Sequence, residues 1–335
     1  AVIRAGVLGK LTFCQDYSQP KFDEQKDEGK VLVKIHSAAI NPVDYKIPRM
    51  LGGKVVGFDF CGIVEQVGAG ESSLSLKKGD LVFGGCSGSL GEYAIAKTTT
   101  IAKVPSSKSE SEPWKPSELA SLHVAYQSAL QCLQKGNIIN GDGSLIKNIS
   151  DNDDKSVLVI GASGGCGIAG IQLCRAVGVK RIIAICSGKN AQLVKDMGAT
   201  EVVDYTNEEQ LEQFFQNNAG VIDCVYDAAT NSGGGEDYWD KSIPLLKKNG
   251  EGKFTALNGP PSKWIRRLSG REGENESLLM MNSNTADLEL IFRLMDKIKA
   301  KPLVNVMPFT EDGFHEAFKL LKSRRVKGKI AFDVI

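Results

Sequence analysis

The stretch VLVIGASGGCGIAGIQLCRAVGVKRIIAICS, residues 157–187, decides how the rest of this chain is read. Residues 157–161 are a short apolar run of strand type. Ile168, Ile171, Cys174 and Val177 then fall on one helical face, with Gly178 placed to end the helix. Residues 181–186 are a second apolar run, so the stretch reads as a βαβ unit. Between strand and helix lies a turn with Gly161, Gly164, Gly165 and Gly167. Unpaired N–H groups at the helix start carry partial positive charge, and glycines let phosphate oxygens approach them. Ser163, Gly164, Gly165 and Cys166 are the expected pyrophosphate contacts. Ala162 stands where G-x-G-x-x-G has its first glycine, but strand, turn, helix and second strand are in register.

The end of the second strand bears on which dinucleotide fits. An Asp or Glu about twenty residues past the glycines holds the ribose hydroxyls of NAD. Here the segment is Cys186-Ser187-Gly188-Lys189-Asn190, with no acid and one cation. A 2′-phosphate would be held by Ser187, Lys189 and Asn190, so the expected cofactor is NADPH. The alternative is that Lys189 merely decorates the start of the next helix.

The chain of 335 residues is long enough for two domains. A net charge of +1 gives no basic field for nucleic acid, and no apolar run is long enough for a transmembrane segment. Peripheral membrane association is not excluded. Eight scattered cysteines without a Cys-x-x-Cys pair argue for reduced thiols, and no leader-like segment opens the sequence. The expected location is the cytoplasm.

Residues 1–125 read as short strands with turn punctuation, over 2–5, 11–14, 31–39, 61–67, 81–83 and 92–96, hence a partly closed β-barrel. Residues 105–118 read as a polar surface connection, and one helix is expected from 117 to about 133. Residues 136–155 read as a polar excursion to which no role is assigned. After 187 the alternation of strands and helices continues, as in a doubly wound parallel sheet. Ligands sit at the carboxyl ends of such strands, which points to Ala228-Ala229-Thr230 and Leu257-Asn258-Gly259. The expected domains are 126–300 for the nucleotide and 1–125 with 301–335 for the substrate.

These pieces resemble the quinone oxidoreductase branch of the medium-chain dehydrogenase/reductase superfamily. The matching segments are Asn41-Pro42-Val43-Asp44, Gly57 to Val64, Gly79-Asp80-Leu81-Val82, Gly91-Glu92-Tyr93, Gly161 to Gly167 and Gly328-Lys329-Ile330. GATEVVDY over 198–205 and GPPSKW over 259–264 are similar to chloroplast-envelope quinone oxidoreductase homologues and oxoene reductases. The resemblance implies a GroES-like domain beside a Rossmann domain. It also implies hydride transfer from NADPH to a quinone or to the C=C bond of an α,β-unsaturated carbonyl. It places Asn41 and Asp44 near the nicotinamide, puts Tyr205 with Ser187, Lys189 and Asn190 around the 2′-phosphate, and adds Ser128 and Lys329 to the cofactor contacts. It further implies a homodimer paired through residues 278–281, and the chloroplast envelope as the alternative location. The family's Pro-Val-Ala-Gly-Leu-Thr segment appears here as residues 123–128, which puts the bulky ring of Tyr126 near the expected cleft, where the family has glycine, and leaves the shape of the pocket open.

Zinc dehydrogenases share this fold, but their ligating cysteine and histidine would fall at Asn41 and Phe58, so no metal is expected. His123 is ligand-capable but alone, and reads as a satisfied helix-start histidine. Tyr45 follows Asn41-Pro42-Val43-Asp44 and either donates a proton to the enolate or packs as an ordinary aromatic. A second function class, a non-catalytic NADPH-binding protein, stays open.

Overall fold

Ser156–Ile160 is buried along its whole length, as a strand flanked on both sides in a parallel sheet must be. The computed structural model describes residues 1–4, 10–47, 54–70, 75–105, 113–146, 154–231, 237–248 and 250–335. These pack as two units: Ala1–Ala125 with Ser283–Phe292 and Lys301–Ile335, and Tyr126–Asn282 with Arg293–Ala300.

In the second unit, strands β1 (Ser156–Ile160), β2 (Arg181–Cys186), β3 (Glu201–Asp204), β4 (Cys224–Asp227), β5 (Lys253–Ala256) and β6 (Glu276–Leu278) form one sheet in the order β3-β2-β1-β4-β5-β6. Every pairing is parallel. The order reverses between β1 and β4, the point at which doubly wound sheets bind dinucleotides. Helix Gly165–Val177 follows β1 and is closed by Gly178 in the left-handed conformation. The apolar face of that helix packs on the sheet closely: a Cβ at Gly170 would lie 2.7 Å from the Tyr226 ring.

In the first unit the long strand Lys30–Ile40 pairs with Asp59–Val67 along one side. Along the other it pairs with Tyr93–Lys97 at its start and Lys329–Asp333 at its end. Leu81–Gly85, Ile101–Lys103 and Val304–Pro308 extend this seven-stranded sheet. Irregular register near Leu32 and Ile35 bends the central strand, which is how a sheet curls toward a barrel. Val33, Ile35, Phe60, Val64, Val82 and Phe332 fill the core.

Three expectations need correction. The helix expected from 117 is two, Pro116–Ala120 and Val124–Lys135. Residues Ser283–Phe292, expected in the nucleotide domain, pack with the first unit. The reason is anchoring: Thr285 Oγ1 donates to the Ile101 carbonyl at 2.7 Å, and Phe292 stacks on Phe83 and Trp114. Tyr126, expected as an obstruction, is buried in the second unit, where its hydroxyl donates to Gln172. Of the two expected polar connections, residues 106–112 and 147–153 lie outside the described residues. All eight cysteines are free thiols, and among the described residues no helix is long and apolar enough to cross a membrane.

Candidate functional site

The glycine turn is shaped by two of its glycines. Gly161 has φ +74°, a conformation that side chains resist. Gly167 is required by closeness instead: a Cβ there would lie 2.3 Å from the Gly161 carbonyl oxygen and 2.6 Å from Ala162 Cα. Ala162 is buried, its N–H donating to the Ile185 carbonyl at 3.1 Å, so the first position of the pattern serves the sheet. The first N–H groups of helix Gly165–Val177 have no partner within the helix, which leaves donors for an anion.

Beside this turn the structure assembles the loop after β2. Asn190 Nδ2 donates to Ser163 Oγ at 3.0 Å, and the Asn190 N–H donates to the Ser187 carbonyl at 2.8 Å. Ser187 and Asn190 are buried, Lys189 is exposed, and Asn190 Oδ1 has no partner. Tyr205, just past β3, is 47% exposed, and its N–H donates to the Cys186 carbonyl. Ser163, Ser187, Asn190 and Tyr205 are therefore gathered around the ends of β1, β2 and β3. Ser128 is buried on helix Val124–Lys135. Ala228 and Leu257 follow β4 and β5 directly, and a Cβ at Gly259 would lie 2.9 Å from the Trp239 ring.

One acid at this loop was missed in the sequence. Asp204 ends β3 opposite Cys186, and its Oδ2 would lie 2.2 Å from a Cβ at Gly188. The Thr206 hydroxyl and N–H, with the Gly188 N–H, hold its carboxyl below the ordinary value. The parallel register of β2 and β3 was the signal that could have found it.

A second cluster lies within the first unit. Helix Pro42–Lys46 starts after Asn41, whose N–H donates to Asp44 Oδ2 at 2.6 Å. Asn41 Nδ2 donates to Asp59 Oδ2 at 2.8 Å, and Asn41 Oδ1 accepts from Lys329 Nζ at 2.5 Å. Lys329 Nζ also reaches Asp59 Oδ2 at 2.9 Å and the Ile40 carbonyl at 3.3 Å. Asp59 Oδ1 accepts from His123 Nδ1 at 2.9 Å and from the Val124 N–H at 3.0 Å. With the proton on Nδ1, a neutral His123 ring accepts the Ser283 hydroxyl at Nε2, 2.7 Å away.

Burial would raise the Asp59 carboxyl, but the Lys329 ammonium and His123 hold it at about 2. Asp44 goes the other way: full burial pushes it up to about 8, and its Oδ1 has no hydrogen-bond partner among the described residues. Asp44 and Asn41 are thus buried, and Asp44 acts on Asn41 rather than on a ligand. Tyr45 packs partly on the barrel core beneath the Lys322 ammonium, and burial raises its phenol. Lys329, expected among the cofactor contacts, is instead the buried counter-ion of Asp59. Asp59 is the second acid missed in the sequence. Its signal was a carboxylate in the apolar, buried first half of strand Asp59–Val67, where it must find partners.

A doubly wound sheet with a glycine turn at its switch point and a GroES-like sheet, carried on one chain, define a nucleotide-dependent dehydrogenase or reductase. The description "Alcohol dehydrogenase GroES-like domain" matches residues 27–106, and "Zinc-binding dehydrogenase" matches residues 197–331. The chain belongs to the medium-chain dehydrogenase/reductase superfamily. It is 29% identical to the 2-methylene-furan-3-one reductase of Solanum lycopersicum, over 92% of this chain and 72% of that one. It is 27% identical to the chloroplastic NADPH-dependent alkenal/one oxidoreductase of Arabidopsis thaliana, over 90% of this chain and 72% of that one. The quinone oxidoreductase of Coxiella burnetii superposes with a TM-score of 0.72 at 23% identity, covering 100% of this chain and 99% of that one.

Proposed function

We propose that this chain transfers hydride from NADPH to a quinone or to the β-carbon of an α,β-unsaturated carbonyl, without zinc. The observation that carries the reading is the Lys329 ammonium, held between Asn41 and Asp59. A fixed ammonium on these oxygens repels a dication, and among the described residues no group of three metal-ligating side chains occurs. An acceptor that needs no Lewis acid fits such a site. The tomato relative is by name a reductase of 2-methylene-furan-3-one, and the Arabidopsis relative an NADPH-dependent alkenal/one oxidoreductase.

NADPH fits the residues present. Lys189 and Tyr205 are exposed, and the helix start can face the pyrophosphate. When bound, NADPH supplies the hydride. The chain orients it and fixes the Asn41 amide through Asp59 and Lys329. Tyr45 is the candidate donor of the proton that the enolate takes at its α-carbon.

NADPH consumption with 1,4-benzoquinone and with a medium-chain enone tests the reading. Turnover of either supports it, and tight NADPH binding without turnover of both makes the protein a binding module instead. We also propose a homodimer through the free edge of β6. Leu278 and Leu279 are buried within the chain, which leaves Met280 as the exposed residue of that run. A monomer in sedimentation at micromolar concentration would refute the dimer. The free thiols suit a reducing compartment, the cytoplasm or, as the alternative, the chloroplast at its envelope.

A further inference from the structure

We infer that the outward face of helix Pro261–Leu268 docks on an anionic phospholipid surface. Its sequence, PSKWIRRL, places Pro261, Trp264, Ile265 and Leu268 on one face and Lys263, Arg266 and Arg267 on the other. A helix on a globular unit ordinarily turns its apolar stripe to the core. This one is reversed. The Lys263 and Arg267 side chains are 18% and 29% exposed, whereas Ile265 is 67% and Leu268 73% exposed. None of the eight residues is buried.

Specific pairs hold the helix in that orientation. Lys263 Nζ donates to Glu276 Oε2 at 2.6 Å and lies 4.7 Å from the Trp239 ring centroid. Arg267 pairs with Glu272, whose other oxygen accepts the Leu278 N–H at 2.9 Å. Trp264 is tied by its indole N–H to Asn258 Oδ1 at 3.0 Å. Rolling the helix over would strip both glutamates of their cations, so Ile265 and Leu268 stay outside, while Trp264 packs partly on the core of its unit.

Charge selects the occupant. Arg266 Nε donates to the Arg271 carbonyl at 3.1 Å, and neither arginine forms an ion pair among the described residues. Exposed Ile265 and Leu268 beside two arginines without ion-pair contacts match the boundary between acyl chains and anionic headgroups. A second copy across a two-fold axis would set this basic flank against its own image. A neutral enone offers the arginines nothing.

The test is flotation of the full chain with vesicles of phosphatidylcholine, with and without phosphatidylglycerol, at low and high salt. The wild type is expected to float only with the anionic vesicles, and less at high salt. Ile265→Ser with Leu268→Ser, and separately Arg266→Ala with Arg271→Ala, should each lower the vesicle partition coefficient about tenfold or more. These residues are exposed, so far-UV circular dichroism and NADPH turnover should be unchanged. Absence of flotation, or equal flotation of either variant, overturns the inference. So does loss of a wild-type dimer in the serine variant without lipid, which would assign the face to a second copy. A raised KM for the acceptor without any change in flotation would assign it to the substrate.

Discussion

Replacing Asp44 by Asn should make the protein more stable at alkaline pH than at acid pH, relative to the wild type. The carboxyl is fully buried, accepts one N–H from Asn41 at 2.6 Å, and has no hydrogen-bond partner at Oδ1 among the described residues. Burial is the main cause of its pKa of about 8; nearby Asp59 adds to it, while Lys329 and Arg4 oppose it. In the unfolded chain the same group titrates near the ordinary Asp value, about 3.9. Between those two values the folded state holds the proton more tightly than the unfolded one. Stability from this group is therefore complete below about pH 4, falls as pH rises, and is lost by about pH 8. Each pH unit costs about 1.4 kcal/mol, so the full difference is of the order of 5 kcal/mol. Asn has no charge to desolvate and can accept the same Asn41 N–H. Urea unfolding at fixed ionic strength from pH 5 to 8.5 measures both proteins. The gap in favour of Asp44→Asn should widen steadily with pH. Parallel curves, or a gap that closes at high pH, would show that Asp44 is ionised in the folded protein.

Lys189→Ala should weaken NADPH binding by about tenfold or more and leave NADH nearly unchanged, since a charge-assisted hydrogen bond is worth roughly 1.5–3 kcal/mol. Calorimetry showing equal losses for both cofactors would remove Lys189 from the 2′-phosphate. Gly167→Ala forces a Cβ onto backbone atoms at 2.3 and 2.6 Å, so it should cost about 1–3 kcal/mol of stability and most of the NADPH affinity. Thermal unfolding and cofactor titration at wild-type values would contradict that packing. Exhaustive chelation should leave NADPH turnover intact, whereas loss of activity together with stoichiometric zinc would reverse the metal-free reading.

The parallel unit was legible because its signals are local. The run at 181–186 appears as the strand Arg181–Cys186, with turns and helix ends marked by glycine. Helix Pro261–Leu268 was not legible: proline opens it, and its apolar spacing has no core to answer to. The buried ionic network escaped for a different reason. Asp59 and Lys329 stand 270 residues apart, and nothing near either residue announces the other. A buried carboxylate still demands a cation, and a buried lysine an anion, before either can enter a core. Strand Lys329–Asp333 lies along the end of Lys30–Ile40, and Asp59–Val67 lies on that strand's other side. The ion pair therefore ties the carboxyl-terminal strand to the segment that presents Asn41. On this reading, the chain's last strand helps to fix the candidate nicotinamide contact. Lys329→Met should accordingly loosen Asn41 and raise the Asp59 carboxyl.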